Sequence, residues 1–459
     1  MTSDDDDDFV FDEDARAAAD AAYDELLARV GESFPQPRLE PTRRAVELLG
    51  DVHRAAPVIH ITGTNGKSST SRMIESLLRA SGLRTGLMTS PHLRRVTERI
   101  LIDGEPISDE AFARNWDEIQ PYLLMVDAEL VANGEETLTF FEALTVLAFA
   151  CFADAPVDVV VLEVGMGGEW DSTNVADGQV AVFTPIALDH TAKLGSTVAE
   201  IARTKAGIIK PAASVVTAIQ PIEALDELRA AALQDEAHMS IERVDFALES
   251  TTVAVGGQLV DIRGRAGRYP GVFLPLYGDH QAQNAAVAVA AVESFLGDGA
   301  VALSQDVVAE GFGQVASPGR LQLVGIEPTV LVDAAHNPHG AAALAAAMEA
   351  YFDFDEIALV IGVLADKDAR GIIAELAALS TIVIVTQSQS ERAIPADDLA
   401  DIVRQEVEPT LVAVQPDIVD ALDAAREWAS ESPRRAVVAT GSITLVGEVM
   451  DLAEDGGWK

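Results

Sequence analysis

Cysteine occurs once in this 459-residue chain, lysine six times, and aromatic residues make up 5% of it. A single thiol, Cys151, leaves no internal disulfide, which fits a reducing cytoplasm. No uninterrupted apolar run is long enough to span a bilayer. The opening "MTSDDDDDFVFDEDA" lacks the basic stretch and apolar core of a secretory signal, so residues 1–15 are read as a solvated, disordered acidic tail. Basic charge is also short: 32 Lys and Arg against 74 Asp and Glu give a net charge of −42. Such a surface repels nucleic-acid phosphates and anionic membranes, excluding both as partners. The acids are spread along the chain rather than gathered in one block. That spread fits adaptation to high intracellular salt, where screening weakens self-repulsion.

What the chain does have is strand–helix alternation. "PVIHI" (57–61), "RTGLMTS" (84–90), "VDVVVLEVG" (157–165), "QVAVFTPI" (179–186) and "SVVTAI" (214–219) read as strands of a mostly parallel sheet. Helical patterns cover 16–30, 40–50, 108–133, 139–153 and 280–296. Paired glycines in 241–277 predict a small antiparallel excursion. "ASPGR" (316–320) has turn chemistry, and the alternation restarts after it. The reading is α/β with two doubly wound domains: a P-loop ATPase-like domain over 16–315, a hinge at 316–320, and a smaller Rossmann-like domain over 321–459.

The stretch "VIHITGTNGKSST" puts a glycine loop between a strand and a helix, where backbone N–H groups and Lys67 can cradle phosphates. The spacing departs from the ordinary P-loop: Ile61 stands five positions before Gly66, where a glycine is usual. Glu163 is an acid in an otherwise apolar strand, a costly place for an unpaired carboxylate. With Ser90 after one strand and His190 after another, it could hold a metal. Chemistry alone favours zinc or manganese for a set containing histidine. Lys205, in "RTKAGIIKP", follows that site, and in a chain that nearly avoids lysine a casual surface role fits it poorly.

Taken in order, "HITGTNGKSST", "TSPHLRRVTERI", "LTFFEALT", "LEVGMGGEWDSTN", "IALDHT", "KAGIIK", "PGRLQ", "DAAHNPHG", "GVLADKD" and "TGSITLVGE" resemble the folylpolyglutamate synthase/dihydrofolate synthase family of the Mur ligase superfamily. The resemblance covers about residues 40–450 and accounts for the short loop. It implies an ATP-dependent ligase that activates a pterin-bearing carboxylate as an acyl phosphate and joins it to L-glutamate. By position it assigns Gly63, Thr64, Asn65, Gly66, Lys67, Ser68, Ser69, Asn284, Arg320 and Asp333 to ATP. Two magnesium ions are implied, a first at Ser68 or Ser69 and a second at Ser90, Glu163 and His190. Lys205 matches a lysine that is carbamylated in related enzymes. Thr139, Phe141 and Asp171 match pterin contacts, and His336 a nucleotide or glutamate contact. The implied partners are ATP, L-glutamate and dihydropteroate or a reduced folate, acting on a monomer. Ser68, Glu169 and Trp170 depart from the family pattern, Ser68 standing where glycine is usual. Another Mur-type peptide ligase and a non-catalytic nucleotide switch are the competing readings. The second would not need Ser90, Glu163, His190 and Lys205 together.

The charge reading makes a direct prediction. Raising KCl from about 0.1 M to about 3 M should raise the melting temperature; equal stability at both would reject salt adaptation.

Overall fold

The computed structural model describes residues 13–32, 34–408 and 411–458. Most of the expected acidic tail, residues 1–12, lies outside these. Residues 13–15 were expected to belong to it, but they open the helix Glu13–Leu27. Glu13 and Asp14 sit in its first turn, where carboxylates complement the helix dipole, and Ala19, Ala22 and Leu26 bury one face.

The first sheet has eight strands: β1 (Val58–Thr62), β2 (Thr85–Met88), β3 (Ile100–Ile102), β4 (Glu105–Pro106), β5 (Val159–Glu163), β6 (Gly178–Phe183), β7 (Ser214–Thr217) and β8 (His238–Ile241). Their order is β4-β3-β2-β5-β1-β6-β7-β8. Pairing is parallel from β2 to β8, while β3 and β4 form an antiparallel edge. Alternate side chains of one strand enter different cores. Ile59, Ile61, Val159 and Val161 pack with the helices Lys67–Ala80 and Asp279–Gly297. Val58, Val160 and Leu162 pack with Asp109–Ala132 and Phe140–Asp154. Burial on both faces explains why β5 reads as an unbroken apolar run. The expected excursion is a three-stranded antiparallel sheet of β9 (Ala247–Ala254), β10 (Gly257–Arg263) and β11 (Arg268–Leu274). Its inner face, Val260, Ile262, Tyr269 and Val272, joins the first core.

The second sheet holds β12 (Gln322–Gly325), β13 (Thr329–Asp333), β14 (Glu356–Ile361), β15 (Ile382–Val385), β16 (Val412–Val414) and β17 (Arg435–Thr440). Its order is β12-β13-β17-β14-β15-β16, parallel except for β12. Helices cover both faces through two separate cores. The last helix on the first sheet ends at Gly313 and β12 starts at Gln322, so the chain changes sheets across the turn-rich 314–321 segment.

Candidate active site

In the first sheet, β2, β5, β1 and β6 lie side by side and parallel, so their carboxyl ends open on one edge. Ligands bind at that edge in open α/β sheets. The loop after β1 is the glycine loop, Thr89 and Ser90 follow β2, Glu163 ends β5, and Asp189 and His190 follow β6. All eighteen residues assigned from sequence line one cavity of about 400 Å³ between the two sheets.

Gly66 caps the helix that begins at Lys67, with φ at +84°. Its missing side chain lets the loop approach Asn284, whose Oδ1 would lie 2.7 Å from a Cβ placed there. Alanine would meet strain and collision together. Lys67 folds back, its Nζ donating to the carbonyls of Gly63 and Thr64 at 3.2 Å each. Burial lowers its pKa. Lys205 is 4% exposed and donates to Gly63 O at 2.7 Å. Burial first, and then the charge of Lys67, bring its pKa down to about 7. Two lysines well apart in sequence therefore grip one loop carbonyl, that of Gly63.

Glu163 is 1% exposed and ends an apolar strand. Its Oε1 accepts from Ser68 Oγ at 2.8 Å, and Oε2 accepts from Thr89 Oγ1 and from Ser90 N at 3.4 Å. Among the described residues no lysine or arginine pairs with it. A buried carboxylate costs several kcal/mol, whereas each hydrogen bond to it returns about 1.5–3 kcal/mol. Hydroxyl donors can turn their lone pairs toward a cation when one arrives. His190, on the same edge, has φ +49°, and burial brings its pKa down to about 4, so the imidazole is neutral and able to ligate. This oxygen-rich set with one neutral imidazole fits a divalent cation. Among the described residues there is no cluster of three His, Cys, Asp or Glu, so the serines would be needed to complete it.

The two serine candidates part company. Ser68 lies on Glu163, whereas Ser69 Oγ meets Ser317 Oγ at 2.9 Å and accepts from Gln281 at 3.2 Å. Ser69 thus ties the loop helix to the 314–321 segment. Thr139 and Asp171 line the cavity but are already occupied. Thr139 closes a capping box with Glu142, and Asp171 accepts from the amides of Met166 and Thr173. Phe141 rests on Gly165, where a Cβ would come within 2.6 Å of its ring, and turns its remaining surface to the cavity. Trp170 also lines the wall, whereas Glu169 is exposed and outside it. From the second sheet, Asp333 accepts from Leu321 N and Ala335 N at 2.8 Å each, and burial raises its pKa. Arg320 donates to Ala334 O at 3.2 Å, and His336 Nδ1 lies 2.9 Å from the same carbonyl.

Sequence reasoning assigned Asn65 but not its partners across the cleft, nor Asp189 and Lys367. Asn65 and Asn337 exchange amide hydrogen bonds of 3.3 and 3.0 Å, and Asn65 Nδ2 also lies 2.9 Å from His339 Nδ1. Asp189 holds Lys367 Nζ at 3.3 Å, with Asn337 Nδ2 at 3.5 Å. Lysine scarcity was the signal for Lys367; Asn337 and His339 lie in the quoted segment "DAAHNPHG" but were given no role from it.

Two family models match this architecture, the Mur ligase middle domain over 61–292 and the Mur ligase glutamate ligase domain over 319–443. The dihydrofolate synthase/folylpolyglutamate synthase of Mycobacterium tuberculosis is 41% identical over 444 residues, 91% of each chain. The chain belongs to the dihydrofolate synthase/folylpolyglutamate synthase family. A solved M. tuberculosis folylpolyglutamate synthase complexed with ADP superposes with a TM-score of 0.91 at 40% identity, covering 96% of this chain and 99% of that one. A bifunctional folylpolyglutamate synthase/dihydrofolate synthase with Mn, AMPPNP and L-glutamate bound gives 0.81 at 28% identity, covering 96% and 99%. The expected Mur-type fold and reaction class, an ATP-dependent ligase, hold for this family member. No helix among the described residues is long and apolar enough to cross a membrane.

The Asn65–Asn337 bridge can be tested without disturbing the fold. Asn337 Oδ1 also caps the helix Pro338–Tyr351 by accepting from Gly340 N at 2.8 Å. Serine keeps such a cap but is too short to reach Asn65. Asn337→Ser should therefore leave the melting temperature within about 2 °C and increase the radius of gyration in small-angle scattering. Scattering identical to wild type would mean that the amide pair does not hold the cleft.

Proposed function

We propose that this protein joins L-glutamate to dihydropteroate, to a reduced folate, or to both, through an acyl phosphate, in the cytoplasm and as a monomer. The observation that carries this reading is the meeting of the glycine loop, Glu163 and Lys205 on one sheet edge with Lys367 and His336 facing them across one cavity. The first domain is taken as 16–315 and the second as 321–459, with 316–320 as the hinge that brings Arg320 and Asp333 onto the nucleotide.

A free carboxylate is a poor electrophile, so the substrate's carboxylate oxygen attacks the γ-phosphorus while the bond to the ADP oxygen breaks. The glutamate amine, having lost its proton, attacks the activated carbonyl carbon. Phosphate leaves as the amide forms. The amides of Gly63, Thr64, Asn65 and Gly66, with Lys67, hold the phosphates, and Asn284, Arg320 and Asp333 hold the rest of the nucleotide. Magnesium, when bound, neutralises phosphate charge and orients the γ-phosphoryl group. Ser68 would contribute to a first ion, with Ser69 nearby in sequence, and Ser90, Glu163 and His190 to a second. Phe141 offers a flat face to the pterin beside Thr139 and Asp171, and His336 lies where glutamate or nucleotide would approach.

Product mass spectrometry with both pterin substrates in molar KCl tests the reading. Glutamate-dependent ADP release with at least one is expected, and release with neither would overturn it. Glu163→Ala should lower ligation by about a thousandfold while nucleotide binding persists; unchanged ligation would remove Glu163 from the site.

Lys205 adds a pH dependence. A neutral amine adds carbon dioxide, forming an N–C bond and releasing a proton. With a pKa brought down to about 7, the reactive form gains population as the pH rises through that value. A carbamate resonance from labelled bicarbonate should grow between roughly pH 6 and pH 8 and be missing from Lys205→Gln. Its absence from wild type would leave Lys205 an unmodified amine.

A further inference from the structure

Four of the six lysines, Lys67, Lys193, Lys205 and Lys367, line the one cavity. Lys67 and Lys205 serve the glycine loop, and Lys367 holds Asp189. Lys193 is different. It lies on the short helix Thr191–Leu194, on the first-domain side. Arg392 lines the same cavity from the loop after β15, on the second-domain side. Asp366 lines the cavity with them; it accepts from Arg392 Nη2 at 2.5 Å and has Lys367 Nζ at 3.9 Å. Lys193 is attracted by Asp366 and repelled by Arg392 and Lys367. Three cations thus crowd one carboxylate at the cleft mouth of a chain carrying 74 acids.

The fold does not require this excess. Lys193 and Arg392 are exposed, and an exposed ion pair such as Arg392–Asp366 stabilises little. Position supplies the reason for it. Leu194, next to Lys193, packs against Gly167 beside Trp170: a Cβ on Gly167 would lie 3.1 Å from Leu194 Cδ2 and 3.4 Å from Trp170 Cζ2. Lys193 therefore stands between the aromatic wall of the acyl pocket and the Asp366 cluster.

We propose that Lys193 and Arg392 form an anion subsite at the cleft mouth that takes the α-carboxylates of a glutamyl tail carried by the acyl substrate. The inference rests on the ligase reading above and names a substrate feature of that same site. The two cations come from different domains, so a tail lying between them also bridges the cleft. Carboxylates from the incoming L-glutamate are the other source of the same chemistry, and the test separates the two.

Lys193→Gln and Arg392→Gln keep side-chain length and remove charge. Steady-state KM is measured for dihydropteroate, for tetrahydrofolate with one, two and three glutamates, and for L-glutamate. The KM increase should be within about twofold for dihydropteroate, which carries no glutamyl carboxylate, and reach about tenfold for the longer tails, with kcat kept. Lys193→Arg and Arg392→Lys should restore most of the loss. An equal KM increase for every acyl substrate, an increase confined to L-glutamate, or no change would each overturn the subsite. If wild type turns over none of these substrates, the ligase reading falls and the subsite with it. If wild type works and the variants show no tail-length dependence, only the subsite falls.

Discussion

The site depends on keeping one negative charge, that of Glu163, buried where more negative charge must arrive. Its carboxylate has no cationic partner among the described residues and leans on two hydroxyls and one amide. Hydroxyls satisfy an anion without cancelling its charge, so the carboxylate keeps its attraction for a divalent ion. A lysine in their place would have stabilised the empty protein and weakened that attraction. Ser68, which departs from the family's usual glycine, fits this logic: its hydroxyl is one of the two that hold Glu163.

The lysines solve the complementary problem. Lys67 and Lys205 are both buried, burial lowers the proton affinity of each, and the charge of Lys67 lowers that of Lys205 further. Their hydrogen-bond partners in the loop are neutral carbonyls, Gly63 O for both and Thr64 O for Lys67. The pair is therefore placed to meet an incoming polyphosphate. Farther out, ion pairs cross between the domains in both senses, Lys367 facing Asp189 and Arg94 facing Asp451 and Glu454. Closing the cleft thus brings opposite charges together, whereas opening it would expose them to water and salt.

Much of this was legible in the sequence, and the parts that were not share a cause. The parallel strands were visible because burial on both faces leaves unbroken apolar runs, as in β5. Glu163 was visible because it interrupts one. The glycine loop needed its strand and helix to be read at all, since its spacing departs from the common pattern. Asn337 and His339 could not be found in this way. They are ordinary polar residues in a loop and early helix, and their meaning comes from a partner 272 and 274 positions away. Thr139 and Asp171 show the converse. Matched by resemblance to substrate contacts, they also have local duties, as a helix cap and a loop clasp, that would hold them in place with no ligand.

That double duty bears on how the cleft works. Asn337 caps its helix with the same oxygen that meets Asn65, so the amide is oriented before the cleft closes. Asp189 is likewise fixed by the amide of His190 at 2.8 Å before it meets Lys367. Side chains already immobilised by local hydrogen bonds lose little further rotamer entropy when the two sheets approach. Contacts that are individually worth about 1 kcal/mol can therefore hold a closed state without making it irreversible. A ligase that takes up ATP and releases ADP in each turnover needs that balance. It follows from joining the halves through exchanged amides and a few ion pairs, Lys367 with Asp189 and Arg94 with Asp451 and Glu454.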